Sequence, residues 1–247
     1  MAMNYNRYKD ELISFASSYQ ITVSDEQADL LLKHLELVIE KNKSLNLTRI
    51  DSLESGIILH IIDSLLVLPS MTQYAPAGPF LDFGTGAGFP GIPIGIMTQR
   101  SGLLDDSVTK KVTAVSEFLM SLKLDRNIET TNKRVEELAL EYPQTFACVT
   151  ARAVASLDIL IEYAAPLLIH HGVFIAPKAL IHDEELAHAQ KVASYCGLEL
   201  VSRKTYELPQ DAGHREIFVF QQVKKPRIKL PRRIGEAKKR PLHETIQ

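Results

Sequence analysis

The stretch that decides the fold is "LDFGTGAGFPGIP", residues 81–93. A short apolar strand signal surrounds Asp82, and glycines follow at positions 84, 86, 88 and 91. Pro90 and Pro93 stand where the next helix would begin, and proline is well tolerated in the first turn of a helix. A strand that enters a glycine-rich turn before a helix is typical of the ligand-binding edge of an α/β sheet. The stretch therefore predicts such a sheet, with a ligand close to the loop backbone.

From residue 80 onward the chain alternates between strand and helix signals. The strand signals are "PFLDFG", a short and half-polar "SGLLDD", "IETTNKR", "FACVTA", "GVFIAPK", "LELVSRKTYEL" and "REIFVFQQV". The helix signals begin near Pro90, Lys110, Val135, Ser156 and His182. This alternation predicts a doubly wound, mostly parallel sheet of seven strands. The last two strand signals follow each other without a helix, so they should form an antiparallel hairpin at one edge.

Residues 1–72 predict a helical region packed on this core, ahead of an α/β domain over residues 73–223. Ser24 and Gln27 have the spacing of a capping box. The apolar residues that follow at helical spacing are Ala28, Leu31, Leu35 and Val38. A stripe of this kind is far more often core than a partner-binding groove, so we expect it to pack inward.

A second N-terminal helix is predicted near Leu53–Leu68 and holds "HIIDS". Its His60, Asp63 and Ser64 stand at i, i+3 and i+4, so they share one helix face. Two interpretations remain open. The three side chains form either a surface hydrogen-bond cluster or a polar lip over a pocket.

Charge is distributed unevenly along the chain. The net charge is −2, yet residues 224–247 hold nine of the 28 Lys and Arg residues and two of the 30 Asp and Glu residues. A basic tail on an acidic body favours an arm for an anionic polymer such as RNA, whose phosphates Lys and Arg can contact. A solubilising, disordered end explains the same composition equally well.

The remaining sequence features limit the compartment and the chemistry. The N-terminus lacks an apolar signal-peptide core and the chain lacks an apolar run of about eighteen residues, so we expect a cytoplasmic protein without a membrane span. Cys148 and Cys196 form no CxxC pair and no cluster with His, so we expect reduced core thiols and no metal site. We also expect a monomer.

The glycine loop departs from the dinucleotide-binding fingerprint G-x-G-x-x-G. After Gly84 and Gly86 the third glycine should stand at position 89, and that residue is Phe89. Pro90 also removes a backbone donor that a pyrophosphate would need. The loop therefore favours a ligand without a pyrophosphate.

The pattern Asp82-x-Gly84-x-Gly86-x-Gly88 resembles the first motif of class I S-adenosylmethionine-dependent methyltransferases. The resemblance implies a Rossmann-like fold, with the loop backbone against the methionine and ribose parts of the cofactor. It also implies that an acid such as Asp82 holds the ammonium group directly or through water. An acid at the end of the next strand would accept the ribose hydroxyls, and Asp106 is placed for this, with its neighbour Asp105 as the other candidate.

A larger set of motifs is similar to the RsmG (GidB) family over about 200 residues. The motifs are "KNKSLNLT", "HIIDS", "DFGTGAGFPGIP", "DDSVTKK", "KRVEE" and "ARAVASL", in the family's order. The resemblance implies methylation of guanine N7 in the 530 loop of 16S rRNA, on the small ribosomal subunit. The cofactor-binding residues that it implies are Gly84, Phe89, Val135, Glu136 and Arg152. The sequence departs from the family at Leu59, where relatives usually have Arg.

Each of these residues also has a structural explanation. Phe89 could be core, Glu136 a helix N-terminal acid and Arg152 part of a structural ion pair. Substrate contacts are expected from the "HIIDS" residues, Lys178 and Arg215. Guanine N7 has a free lone pair and needs no general base, so we name no catalytic residue. The alternatives are a class I methyltransferase with another RNA or a small molecule as substrate, or a non-catalytic module that binds the cofactor and docks on RNA.

Overall fold

A computed structural model describes residues 2–152 and 154–246 of the chain. Its strands are β1 (Phe80–Phe83), β2 (Gly102–Asp105), β3 (Ile128–Thr131), β4 (Phe146–Thr150), β5 (Leu168–Lys178), β6 (Leu198–Glu207) and β7 (His214–Gln222). They form one sheet in the order β3-β2-β1-β4-β5-β7-β6. Its helices are α1 (Ala2–Ser18), α2 (Asp25–Leu45), α3 (Leu53–Gly56), α4 (Asp63–Leu65), α5 (Leu68–Tyr74), α6 (Gly91–Thr98), α7 (Thr109–Ser121), α8 (Val135–Glu141), α9 (Leu157–Ala164), α10 (Asp183–Cys196), α11 (Glu236–Lys239) and α12 (Leu242–Thr245).

The sheet confirms the predicted fold class. Strands β1 to β5 pair in parallel, and β7 pairs antiparallel with both β5 and β6. The half-polar "SGLLDD" forms β2, because Leu103 and Leu104 are buried there between β1 and β3. β1 lies at the switch point, with β2 on one side and β4 on the other. Ligands of open α/β sheets bind at the carboxyl ends of the strands at this point.

The N-terminal helices cover one face of the sheet. Ser24 caps α2, and the Ser24 and Gln27 side chains form the predicted capping box. The stripe that includes Leu31 and Leu35 is fully buried, as expected. Between α3 and α4, Ile57–Ile62 form a π-helical turn, so that the helical segment continues from Leu53 to Tyr74.

The segment Leu53–Tyr74 is the one stretch among the described residues that is long and apolar enough to cross a membrane. Length and composition alone support that interpretation, and 78% of its apolar window is buried inside the fold. It packs beside Leu35 and Ile92 in the same apolar cluster. It has the properties of a core helix.

The other face of the sheet packs against α8, α9 and α10. The C-terminal segment joins this second core, because Ala237, Leu242 and Ile246 are buried in it. The basic residues of the tail therefore belong to a chain segment that folds back on the domain. Cys148 and Cys196 are free and buried, as the sequence predicts.

Candidate functional site

The glycine loop turns sharply after β1 and is tied to the end of β2. Gly84, Gly86 and Gly88 have φ values of 72°, 62° and 90°, a left-handed region that favours glycine. The Thr85 amide donates to the Asp105 carbonyl at 2.9 Å. The loop backbone is thus fixed against the neighbouring strand end, where Asp105 and Asp106 follow.

Asp82 supports this loop from behind. Its Oδ2 accepts hydrogen bonds from the Thr85 hydroxyl at 2.6 Å and from the Gly91 amide at 2.9 Å, at the start of α6. Burial raises the pKa of Asp82 to about 6, although both hydrogen bonds favour its charged form. Its Oδ1 is buried without a hydrogen-bond partner among the described residues. Asp82 therefore holds the loop and the helix together, and it does not line the adjoining cavity.

A cavity of about 410 Å³, here called the loop cavity, opens beside this loop. It contains many of the residues that sequence similarity placed around the cofactor. The residues that line it include Gly84, Asp105, Asp106, Val135, Glu136, Arg152 and, from the C-terminal segment, Ile234, Gly235 and Lys238. Chain segments far apart in sequence thus meet at the carboxyl ends of β1, β2 and β4.

Two adjacent carboxylates line the loop cavity. Asp106 accepts from the Gly86 amide at 3.1 Å and from the Val108 amide at 2.9 Å. Asp105 accepts from the Lys133 amide at 3.1 Å. Burial and the neighbouring charges of Asp106 and Asp82 raise the pKa of Asp105 to about 7. The pair offers hydroxyl-accepting oxygens on a rigid backbone.

Gly84 and Gly86 require glycine for different structural reasons. A Cβ on Gly86 would meet no atom of residues 2–152 and 154–246 within 4 Å, so the described chain leaves open space at that position. A Cβ on Gly84 would approach Val154 Cγ2 to 2.4 Å, so side-chain packing already requires a glycine there. Gly86 thus leaves room for a ligand, while Gly84 lets the wall of the loop cavity pack closely.

The far end of the loop cavity is formed by the start of α8. Glu136 is buried, and its Oε1 accepts from the Gly235 amide at 2.7 Å. Burial and the Glu136 carboxylate raise the pKa of Tyr163, also at this end, to about 12. Glu136 therefore joins the C-terminal segment to the cavity, an arrangement that the sequence motif did not indicate.

A second cavity, of about 510 Å³ and here called the arginine cavity, lies between the "HIIDS" helix and the ends of β5 and β7. Asp63 bridges two arginines in it. Its Oδ2 accepts from Arg152 Nη1 at 2.9 Å and its Oδ1 from Arg215 Nε at 2.8 Å. All three side chains are less than one-fifth exposed. The ion pair expected as an alternative for Arg152 therefore exists, inside a cavity rather than in a packed core.

His60 forms part of the wall of this cavity, and Phe89 packs behind it. Their rings stack at 4.5 Å with an interplanar angle of 5°, and His34 packs on the Phe89 ring at 4.4 Å. Burial and the nearby Arg152 charge lower the pKa of His60 to about 3. His60 is therefore neutral, with its Nε2 2.9 Å from the Thr48 hydroxyl. Phe89 is buried and supports His60, lining neither cavity.

Two other predicted substrate residues have different surroundings. Lys178 lines the arginine cavity and pairs with Glu185 at 2.9 Å. Ser64 is fully buried, and its hydroxyl donates to the His60 carbonyl at 2.6 Å. A serine that bonds to the carbonyl four residues earlier satisfies its own hydroxyl locally. Ser64 therefore lies outside the polar lip, which His60 and Asp63 form without it.

Arg152 lines both cavities. Its guanidinium lies 5.8 Å from the centroid of the Phe89 ring and within 3.4 Å of His60 Nδ1. It follows β4, at the switch point of the sheet. The site thus consists of two compartments that share Arg152 as a lining residue.

Comparison with known proteins identifies the family. Residues 6–214 match the family model described as "rRNA small subunit methyltransferase G". The chain belongs to this family. It is 36% identical over 225 residues to "Ribosomal RNA small subunit methyltransferase G" of Desulfitobacterium hafniense (strain Y51), which covers 90% of this chain and 92% of the relative. The protein of the same name from Alkaliphilus oremlandii (strain OhILAs) is 32% identical over 95% of this chain and 98% of its own length.

Solved structures show the same fold, that of class I S-adenosylmethionine-dependent methyltransferases. The ribosomal protein L11 methylase of Lactobacillus delbrueckii subsp. bulgaricus superposes with a TM-score of 0.51 at 16% identity, over 66% of this chain and 79% of that one. Geranyl diphosphate C-methyltransferase of Streptomyces coelicolor A3(2), solved with S-adenosyl-L-homocysteine, gives 0.51 at 9% identity, over 66% and 77%. The open space at Gly86 and the Asp105–Asp106 pair suit the cofactor of this class.

Sequence reasoning missed three parts of the site. His34 stands within the apolar stripe of α2, where its burial could have been foreseen, but its contact with Phe89 could not. Glu185 reads as an ordinary acid in the first turn of α10, and it pairs with Lys178 across the chain. The segment around Gly235 carried only a charge signal, and it forms part of the loop cavity.

Proposed function

We propose that this chain transfers a methyl group from S-adenosylmethionine to N7 of a guanosine in the 530 loop of 16S rRNA, in the cytoplasm. The cofactor occupies the loop cavity and the target base enters the arginine cavity. Membership of the family supports the rRNA substrate, and the resemblance of the motifs supports the 530 loop and the N7 atom. The alternatives are another RNA or a small molecule as substrate, or binding without catalysis.

The observation that carries the proposal is the position of Arg152 on the boundary of the two cavities. Methyl transfer requires the sulfur, the methyl group and the attacking atom in line, within a short distance. Two neighbouring compartments that share Arg152 suit a cofactor in one and a target base in the other. S-adenosylmethionine, when bound, supplies an electrophilic methyl group on a cationic sulfonium.

The side chains near this boundary fit a reaction without a general base. Burial and the Arg152 charge lower the pKa of His60 to about 3, so its neutral ring is a weak base, and its Nδ1 faces the arginine. Asp63 is engaged by two arginines. Burial raises the pKa of the Cys148 thiol to about 12, so it is not a thiolate nucleophile. Guanine N7 needs none of these groups to lose a proton, and placement alone can supply several orders of magnitude in rate.

Cofactor binding is assigned to the walls of the loop cavity. Asp106, with Asp105 beside it, accepts the two ribose hydroxyls, and Val135 and Glu136 lie beside the adenine. Gly84 and Gly86 allow the backbone to approach the methionine and ribose parts. Asp82 and Phe89 act from behind the loop, Asp82 through Thr85 and Gly91 and Phe89 through His60.

RNA binding is assigned to the cationic rim of the arginine cavity. Arg215 and Lys178 are one-sixth to one-fifth exposed, and each is paired with a carboxylate, Asp63 or Glu185. An RNA phosphate can replace such a partner, and a guanine that is unstacked from its loop can reach the cavity. Leu59, where relatives usually have Arg, lines the same cavity, so this chain relies on Arg152, Lys178 and Arg215 for the cationic contacts.

The decisive experiment measures methyl transfer from labelled S-adenosylmethionine to isolated small subunits, naked 16S rRNA and a panel of small molecules. Labelled rRNA is then reduced and treated with aniline, which breaks the strand at N7-methylguanosine. We expect label in rRNA and cleavage at one guanosine in the 530 loop. Label without cleavage would discard N7, and label only in a small molecule would discard the RNA substrate. Cofactor binding without any transfer would favour the non-catalytic alternative.

A further inference from the structure

Two exposed apolar side chains line the loop cavity. Val108 is 45% exposed and Ile234 is 55% exposed, whereas most large apolar residues of the chain are buried. Val108 lies between β2 and α7, and Ile234 belongs to the C-terminal segment, so they reach the cavity from distant parts of the chain. Ligand pockets are lined largely by apolar side chains, which the ligand covers. These two residues therefore suit a flat, largely apolar group such as an adenine ring.

Ile234 lies at the end of the cavity where the adenine is assigned. The amide of the next residue, Gly235, donates to Glu136 Oε1 at 2.7 Å. Gly235 has a φ of 73°, and a Cβ there would meet no atom of the described part of the chain within 4 Å, so the backbone borders open space. Ile234 and Glu136 thus share one end of the loop cavity.

The chain before Ile234 is anchored by a buried ion pair. Arg232 donates to both oxygens of Glu162 on α9, at 2.7 and 2.5 Å. The two side chains are 15% and 4% exposed. Two parallel hydrogen bonds from a guanidinium to a carboxylate fix orientation as well as distance. This pair therefore places Ile234, two residues further on, before any ligand binds.

The chain after Ile234 is also anchored, by buried apolar residues and a histidine. Leu242 and Ile246 are buried in the second core. His243 Nδ1 lies 2.7 Å from Asp158 Oδ2, and the His243 ring stacks on His188 at 4.1 Å. Residues 232–246, here called the C-terminal strap, are thus held at both ends against α9 and α10.

We propose that the C-terminal strap is part of the cofactor site and that Ile234 packs on the adenine ring. The proposal deepens the proposed function, because it relies on the adenine lying beside Glu136. The family match ends at residue 214, so the strap lies outside the part of the chain that the family model describes. The strap is a second wall of the cofactor site, contributed by the segment whose charge is equally consistent with an RNA arm and a solubilising end.

The test compares the binding of S-adenosylhomocysteine and adenosine by calorimetry to the full chain and to Ile234→Ser. We expect both ligands to bind about five- to tenfold more weakly to the variant, because the loss of part of one apolar contact acts on the adenine that they share. Leu140→Ser is the matched control, since Leu140 is 73% exposed and does not line the cavity. We expect it to bind both ligands like the unchanged chain.

A second measurement follows the strap itself. Lys238 and Lys239 are exposed trypsin sites within it. We expect saturating S-adenosylhomocysteine to slow cleavage there in the unchanged chain and to protect Ile234→Ser less at the same ligand concentration. Equal affinities for Ile234→Ser and the unchanged chain, or an equal loss in Leu140→Ser, would overturn this proposal alone. An unchanged chain that binds neither ligand would overturn the proposed cofactor site as well.

Discussion

The carboxylates of the two cavities are held in different ways. In the loop cavity, Asp105, Asp106 and Glu136 accept hydrogen bonds from backbone amides. In the arginine cavity, Asp63 is held by two side-chain cations, and Glu185 is held by the Lys178 cation together with the Leu157 amide. An amide-bound carboxylate can move only with its loop, whereas a partly exposed ion pair can exchange its partner.

This difference matches the two proposed ligands. A small cofactor of fixed shape gains from acceptors that are already in place, because little freedom is lost when it binds. An RNA substrate brings phosphates that compete for the arginines, so its cavity gains from partners that can be replaced. The comparison predicts that variants of the arginine cavity affect transfer more than cofactor binding, and that variants of the loop cavity affect cofactor binding directly.

The largest effect is expected from Arg152→Ala, because Arg152 borders both cavities. The change removes the hydrogen bond to Asp63 and the cation beside the Phe89 ring, so the two compartments lose their shared wall. We expect methyl transfer to small subunits to fall by about 100-fold, the cost of a small misplacement of reacting groups. Single-turnover rates at saturating cofactor would measure it.

Arg100→Ala is the control for this change. Arg100 donates to the Pro76 carbonyl at 2.8 Å, before the start of β2 and away from both cavities. Its transfer rate should stay within twofold of the unchanged chain. A rate for Arg152→Ala that matched this control would show that the boundary between the cavities has no part in transfer.

A smaller effect is expected from Asp63→Asn, which weakens two ion pairs and keeps the side-chain shape. Arg152 and Arg215 then lose the carboxylate that orients them. We expect kcat/KM for small subunits to fall about tenfold, and the affinity for S-adenosylhomocysteine to change less than twofold. Asp29→Asn, which weakens an exposed pair with Lys9, should change neither quantity. An equal loss of cofactor affinity in Asp63→Asn would remove the distinction between the cavities.

The contacts within the loop cavity follow from the sequence pattern more directly than those within the arginine cavity, for a physical reason. Gly86 and Asp106 are 20 residues apart, at the ends of adjacent strands, and the order of the strands brings them together. Asp63 and Arg215 are 152 residues apart, and nothing in their local pattern indicates which carboxylate meets which guanidinium. Only the packing of the N-terminal helices on the sheet decides that pair.

The C-terminal tail is a second region whose contacts the sequence does not predict. The sequence indicates its charge, and charge gives no information about where a backbone folds back. Arg232 was counted among the basic residues of an RNA arm, yet it forms a buried pair with Glu162. The apolar residues that fix the segment, Leu242 and Ile246, are too few to predict a core contact.

The smallest effect is expected from Asp105→Asn, and it depends on pH. Because burial raises the pKa of Asp105 to about 7, above the ordinary Asp value, the folded chain must ionise this group at a cost when the pH is above 7. That cost disappears as the pH falls from 7 towards 4. Asparagine removes the charge and can still accept from the Lys133 amide. We therefore expect the variant without ligand to be more stable than the unchanged chain at pH 8, by about 1 kcal/mol, and to gain less at pH 5.

Cofactor binding should respond to the same change in the opposite direction. The asparagine amide nitrogen cannot accept a ribose hydroxyl, so S-adenosylhomocysteine should bind about fivefold more weakly at pH 8, the cost of about one hydrogen bond. Urea unfolding at both pH values and calorimetry at pH 8 measure the two effects, with the exposed Asp125→Asn as the control. A variant that is less stable at pH 8 would show that ionised Asp105 is compensated by its surroundings. Stability gained together with affinity lost would show that this buried acid lowers the stability of the fold and serves the ligand, which is the behaviour that the amide-held carboxylates of the loop cavity predict.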